Sequence, residues 1–342
     1  LIHAGHTTEP SSVKSYIDNV SPSIRDRKFR CIVCSGRDFT FLFQGTDRVH
    51  GIAGRFNLFC CNGCGLVFVY PIPDNLDTYY PENYYAFRKK KASLLRSIAA
   101  GIKLKTLRTF HLSSKSVFFS LLLYPLSKKY LHYPKRRINK SVERVLDIGC
   151  GTGQMLLDLQ SLGWEVYGND ISVSACKVAR ESGLKNIQAG SFEELEYPSG
   201  FFDCICMSDT LEHMVNPLSS LRKAKRILRK GGELIIALPN YNSLGRRVFG
   251  RHDVIFDLPR HLYMFTPENL ASLVKKAGFQ TIQIYTTNTI SSLHHNFAYM
   301  LGIRLEKVQR FDKLINLFDM ILECFLTNNK RYGNRLVLKC RS

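Results

Sequence analysis

The sequence predicts an α/β fold built on a doubly wound, mostly parallel sheet, with a small cysteine-bearing module in front of it. Three observations predict it. Strand-like runs alternate with helix-like runs between residues 141 and 285, and that alternation places helices on both faces of a parallel sheet. A strand-like run enters a turn carrying Gly149, Gly151 and Gly153. Ahead of this region stand two Cys-x-x-Cys pairs, a spacing that reads as a pair of metal knuckles.

Composition narrows the class. A chain of 342 residues has room for a catalytic α/β domain and one or two smaller units. With 45% hydrophobic and 22% charged residues it has the profile of a globular protein rather than a disordered one. Its formal charge of +20, from 48 Lys+Arg against 28 Asp+Glu, attracts anions: nucleic acid, an anionic membrane face or phosphorylated substrates. Residues 1–20 hold no long apolar run, so no signal peptide is expected. The longest apolar patch, 117–126, falls far short of the ~20 residues a membrane span needs. A cytoplasmic location is the expectation, with peripheral contact at a membrane as an option. Eleven cysteines, four of them in the two pairs and the rest scattered through apolar runs, fit a reducing compartment with a metal site rather than a disulfide framework.

Five stretches follow in order. Residues 1–28 are polar, punctuated by Pro10 and Pro22, and read as an N-terminal arm. Residues 29–85 hold the cysteine pairs, β-like runs at 39–43, 57–59 and 66–70, and a loop rich in Pro and Tyr. Residues 86–139 carry many Lys and Arg and no acid, with apolar residues at helical spacing, and read as basic amphipathic helices. Residues 140–287 are the regular region. Strands are expected at 144–148, 164–169, 186–189, 202–207, 233–238 and 280–285, and helices at 155–162, 173–182, 217–228 and 267–277. Thr266 and Pro267 make a helix start and Gly278 a stop. Residues 288–342 add helical material at 295–326 and a final strand at 335–339.

The glycine turn carries the chemistry. Residues 145–153 run from an apolar strand through Gly-x-Gly-x-Gly into a helix. Glycines remove Cβ atoms where a ligand lies against backbone, and the helix start presents free N–H groups. Asp170 follows at the end of the next strand, where a carboxylate accepts hydrogen bonds from a ribose diol. The dinucleotide fingerprint is Gly-x-Gly-x-x-Gly and would need glycine at Gln154. Asp147 beside the turn also argues against a pyrophosphate, because a carboxylate repels phosphate and pairs with an ammonium. A ligand with an adenosyl ribose and an amino-acid tail fits both acids.

With these residues in hand, the stretch 144–153 resembles motif I of the class I S-adenosylmethionine-dependent methyltransferases, whose fold is Rossmann-like. The resemblance covers roughly residues 141–285. It implies that Asp147, Gly149, Cys150, Gly151 and Gly153 line the methionine end of the cofactor. It implies that Asp170 binds the ribose, with Ile171 beside the adenine. Ser191 stands where the family usually shows Asp, and Phe192 would flank the adenine ring. Ser208 closes the run 202–208, which resembles the fourth strand, whose end meets the transferred methyl.

Two histidines follow strand or loop ends. His213, in Asp209-Thr-Leu-Glu212-His213, is a base, an orienting group or a loop-fixing residue. Asp209, Glu212 and His213 also resemble the acids and histidine with which ubiquinone-pathway O-methyltransferases hold a divalent ion. His261, in Asp257-Leu-Pro-Arg260-His261, is a base or a packing residue, and Arg260 would pair with an acidic or phosphorylated substrate. Cys31, Cys34, Cys61 and Cys64 suit a tetrahedral zinc with no open position, hence a structural one. That ribbon resembles the N-terminal ribbon of bacterial methyltransferases found with glycan assembly. The function expected is methyl transfer to a small-molecule acceptor such as a sugar, a lipid-linked glycan precursor or a related metabolite. A tRNA or rRNA methyltransferase with an RNA-binding ribbon stands second, and a non-catalytic cofactor-binding protein third.

Overall fold

A computed structural model describes residues 29–81, 132–135, 142–287, 293–303 and 332–342. The expected N-terminal arm, nearly all of the basic segment at 86–139 and most of the helical material at 295–326 lie outside the described residues.

The regular region opens with β4 (Arg144–Ile148), α1 (Gln154–Ser161), β5 (Glu165–Asp170), α2 (Val173–Glu181) and β6 (Asn186–Ala189). It continues with β7 (Phe202–Ser208), α3 (Pro217–Ile227) and β8 (Leu228–Pro239), then α4 (Leu244–Phe249) and α5 (Pro267–Lys276). It closes with β10 (Gln280–Thr287), α6 (Leu293–Met300) and β11 (Arg335–Arg341). The sheet order is β10-β11-β8-β7-β4-β5-β6. The five strands from β8 to β6 run parallel, whereas β11 lies antiparallel between β8 and β10. The expected last strand is therefore an insertion between two earlier ones. Strand order reverses between β4 and β7, and in open α/β sheets ligands sit at that switch point, outside the carboxyl ends of the strands.

Sequence explains the elements locally. Six of seven residues of β7 are buried, as befits a central strand covered on both faces. Ser172 caps α2 through its side chain, and Thr266 with Asn269 forms a capping box at α5, just before Pro267. The strand expected at 233–238 begins earlier, at Leu228. Leu228 pairs with Phe202, and Glu233 then pairs with Cys204. The excess residues on β8 bulge out around Gly231, whose φ is +71°, a conformation glycine tolerates.

A second sheet has order β1-β2-β3-β9, formed by β1 (Phe39–Gly45), β2 (Phe56–Cys61), β3 (Val67–Val69) and β9 (Tyr263–Met264). Its last strand comes from the loop before α5. Val67 pairs with Met264 and Phe68 with Tyr263. Phe59, Leu66 and Phe68 are buried in one cluster with Leu146, Ile148, Met207 and Leu270. The cysteine module thus shares a core with the large sheet. Lys276 of α5 adds three bonds to the first knuckle, reaching Ile32 O, Val33 O and Ser35 Oγ at 3.1, 3.3 and 2.9 Å.

Candidate active site

The glycine turn sits at the switch point. The N–H groups of Gly149 and Cys150 both donate to Asn169 O, at 2.8 and 2.9 Å, which seats the turn on the end of β5. Gly149, Gly151 and Gly153 have φ of +74°, +53° and +76°, so all three need the left-handed region. A Cβ on Gly149 would lie 2.5 Å from Thr210 Oγ1, and one on Gly153 would run into Leu184. At these two positions glycine makes room for the chain itself, a reason the sequence does not reveal. Thr210 Oγ1 in turn donates to Ile148 O at 2.9 Å, tying the turn to the end of β7.

Two acids face each other here. Asp147 is buried, and its Oδ1 meets no hydrogen-bond partner. Burial, with Asp170 adding to it, holds its carboxyl well above the usual carboxylate range. Asp170 accepts from Gly151 N at 2.8 Å on one oxygen and from Ser172 N at 2.9 Å on the other. Each oxygen keeps a lone pair for a further donor. Burial raises its pKa against those two bonds. Ile171, beside it, is 59% exposed, an apolar face open to a ligand. An orphaned carboxyl next to a half-satisfied one, with a bare apolar platform beyond, suits a cationic amino-acid tail, a ribose diol and an adenine in that order.

Phe192, Ser191, Cys150 and Ser208 each have partners within the protein. Phe192 is only 3% exposed and belongs to the core cluster, with Lys223 Nζ 5.1 Å from its ring centre. Its ring packs in the core. Ser191 donates to Glu193 Oε2 at 2.7 Å. Cys150 points into the core, leaving only its backbone on the turn, and burial pushes its thiol pKa up. Ser208 Oγ, at the end of β7, accepts from Arg335 Nη2 at 2.8 Å.

Beyond β7 lies a short 3-10 turn, Leu211–His213. The N–H of Leu262 donates to Glu212 O at 2.8 Å, which binds this turn to the loop that carries His261. His213 Nδ1 lies 2.9 Å from Arg260 O and 3.1 Å from the Tyr80 hydroxyl. A carbonyl only accepts, so Nδ1 carries the proton. His261 Nδ1 lies 2.7 Å from Ile255 O and carries its proton for the same reason. Nε2 is then the lone-pair nitrogen of each ring. The rings stand 4.8 Å apart, centre to centre. Burial, with His261 adding to it, lowers the His213 pKa to about 3. Glu212 is 1% exposed, and neither carboxylate oxygen has a partner in hydrogen-bond geometry. Burial, with Asp209 adding to it, pushes that carboxyl well up.

Arg260 is not a substrate grip. It is 0% exposed and fully engaged: Nη2 meets Asp47 Oδ1 at 2.7 Å, Nη1 meets Tyr79 O at 3.0 Å, and Nε meets Asp257 Oδ1 at 2.9 Å. Asp209 Oδ1 pairs with Arg335 Nη1 at 2.8 Å, while its charge still acts on Glu212. Asp47, Tyr80 and Arg335 were not singled out from sequence. Asp47 and Tyr80 lie in the cysteine module and its loop and Arg335 in the last strand, and no spacing motif links them to the site.

The four expected cysteines converge. Cys31 and Cys64 sulfurs lie 3.5 Å apart, Cys34 and Cys61 sulfurs 3.4 Å, and all four within 4.8 Å. Ser35 and Gly65, the residues after each pair, have φ of +62° and +73°. Both knuckles therefore turn the same way, and Cys60 stays outside the group.

A family profile described as a methyltransferase domain matches residues 122–284. The ubiquinone biosynthesis O-methyltransferase of Xanthomonas oryzae pv. oryzae is 31% identical over 170 residues, 46% of this chain and 71% of that protein. The protein of the same name from Aromatoleum aromaticum is 31% identical over 174 residues, 47% of this chain and 74% of its own. The chain belongs to the class I S-adenosylmethionine-dependent methyltransferases. It is an enzyme, and S-adenosylmethionine is its methyl donor.

Proposed function

We propose that the enzyme transfers the methyl group to a hydroxyl oxygen of a small-molecule acceptor, held between the Leu211–His213 turn and the 257–262 loop. The observation that carries this reading is the convergence of Glu212, His213 and His261 beyond the carboxyl end of β7, one strand from the glycine turn. Two relatives named as O-methyltransferases support it. They are named for ubiquinone biosynthesis, so the acceptor is read as a hydroxyl-bearing metabolite rather than a sugar in particular.

In this reading Asp147 pairs with the ammonium of the cofactor, Asp170 takes its ribose hydroxyls, and the backbone of 149–153 lies along its tail. Ile171 packs on the adenine. The acceptor oxygen forms a bond to the methyl carbon as the carbon–sulfur bond breaks, and the electron pair goes to sulfur. The protein mainly aligns the two. The hydroxyl proton must leave; His261 Nε2 accepts it, while His213, whose pKa burial lowers to about 3, orients the hydroxyl.

Four thiolates fit a structural zinc. Sulfurs about 2.3 Å from a tetrahedral zinc stand about 3.8 Å apart, close to the spacing seen. The ion would hold the module that carries Asp47 and leads into Tyr80. The charge that motivated a nucleic-acid acceptor falls heavily on 86–139, outside the described residues.

The test is transfer of isotope-labelled methyl into cell extract split into soluble, lipid and RNA pools. Label in the soluble or lipid pool, lost in His261→Ala, is expected. Label confined to RNA overturns the reading.

A further inference from the structure

We propose that Glu212, His213 and His261 form a centre for a first-row transition-metal ion, with Asp209 excluded from it. The proposal deepens the methyl-transfer reading, since the centre would lie where the acceptor hydroxyl is addressed. It departs from the set Asp209, Glu212 and His213 that the sequence resemblance implied, and the departure has a structural cause.

Asp209 is claimed by Arg335, which reaches in from β11. One guanidinium nitrogen meets the Asp209 carboxylate at 2.8 Å and the other meets Ser208 Oγ at 2.8 Å. An oxygen-rich site for a hard ion such as magnesium loses an anionic ligand this way. His261 takes the third place. It arrives on a loop fixed from three sides: Leu262 N bonds Glu212 O, β9 pairs with β3, and Arg260 is locked to Asp47.

Three features of the cluster point to an ion. One donor atom from each of the three residues lies within 4.8 Å of the others. Glu212 is buried with neither carboxylate oxygen in a hydrogen bond; the Arg335 charge acts on it, but a buried carboxylate without a direct partner is still costly. Each imidazole has its Nδ1–H donated to a backbone carbonyl, Arg260 O for His213 and Ile255 O for His261. That second bond is what fixes a ligating histidine's tautomer and aims its other nitrogen. Bonds of about 2.1 Å would draw the three donors together around one ion. Two imidazoles and one carboxylate favour zinc, iron or cobalt over magnesium or calcium, and leave positions open for an acceptor oxygen. With both Nε2 lone pairs bound to it, such an ion would take over from His261: it would lower the pKa of a bound hydroxyl, whose proton then passes to solvent.

The test uses the full chain with its cysteine site zinc-loaded, titrated with cobalt(II) and read by visible absorption. The expected result is one further equivalent of cobalt giving d–d bands without a thiolate-to-cobalt charge-transfer band. Those bands should be lost in His261→Ala and in Glu212→Gln, and kept in Asp209→Asn. Glu212→Gln preserves shape and removes only the ligating charge, so it reads the site even where His261→Ala fails to fold. No d–d bands, bands accompanied only by thiolate charge transfer, bands that survive Glu212→Gln, or bands lost in Asp209→Asn would each overturn the proposal. S-adenosylhomocysteine binding, measured by calorimetry on the same samples, separates the two readings. A protein that binds the cofactor product but no cobalt loses only the metal centre, and one that binds cobalt but no cofactor product loses only the methyl-transfer assignment of the site.

Discussion

Arg260 Nη2 and Asp47 Oδ1 lie 2.7 Å apart with both side chains fully buried, although the residues are 213 positions apart in sequence. The pair fastens the cysteine module to the loop that presents His261. Asp47 also accepts from the backbone of Val49 and His50, at 3.0 and 3.1 Å, so its carboxylate is satisfied on several sides.

Removing one member of a buried pair leaves an uncompensated charge, at a cost of about 3–5 kcal/mol. Asp47→Ala should lose stability on that scale in urea denaturation, with methyl transfer falling alongside. Burial raises the Asp47 pKa, but bonds and charge from Arg260 outweigh it, and the net shift is downward from 3.8. A carboxyl depressed in the folded state stabilises above its unfolded pKa, and the stabilisation is lost as pH falls through the folded value. The wild-type advantage over Asp47→Ala should therefore shrink below about pH 4. An advantage unchanged down to the acid transition would contradict it.

Cofactor binding should release a proton. The free protein holds Asp147 protonated to higher pH than an ordinary carboxyl. Pairing with the cofactor ammonium lowers that pKa, so the proton leaves on binding. Affinity should then fall as pH is lowered, and the binding heat should depend on buffer ionisation enthalpy. Asp147→Asn should bind more weakly and show no such dependence. A buffer-independent heat in the wild type would rule out this role.

Gly149→Ala meets two penalties. A non-glycine residue in the left-handed region costs roughly 1–2 kcal/mol, and the new methyl would stand 2.5 Å from Thr210 Oγ1. Cofactor affinity and thermal stability should both drop, because the turn and the end of β7 must separate. Gly231→Ala serves as the control. It has a similar backbone at φ +71° and no atom within 4 Å of its Cβ position, so it should cost the backbone term alone and leave cofactor affinity intact.

Metal analysis should find zinc on the cysteine module, lost in Cys64→Ser. Because Phe59, Leu66 and Phe68 share the core of the large sheet, the melting temperature of the whole protein should fall with it. Wild-type protein that retains neither zinc nor another ion after purification would exclude a structural metal there.

Much of the large sheet is legible in the sequence because its strands carry apolar runs of their own and several helices carry their own caps, as at Thr266 and Ser172. The glycine turn and Asp170 are legible for the same reason: their signal is local. What stays hidden depends on partners far along the chain. The two residues of β9 are strand only because Val67 and Phe68 pair with them. Arg260 reads as a grip for an acidic or phosphorylated substrate until Asp47 and Asp257 are seen to claim it. Asp209 reads as a ligand until Arg335 arrives from the last strand. The burial of Phe192 in the core cluster, with Lys223 against its ring, depends likewise on partners far along the chain.

O-methylation of a small hydroxylated acceptor is tested most directly with carbon-13 S-adenosylmethionine and the soluble and lipid pools of a cell extract as acceptors, the product read by NMR. A labelled methoxy carbon is expected, formed by the wild type and lost in His261→Ala while that variant still binds S-adenosylhomocysteine. Transfer of the label to nitrogen or carbon, or undiminished methoxy formation in His261→Ala, would contradict it.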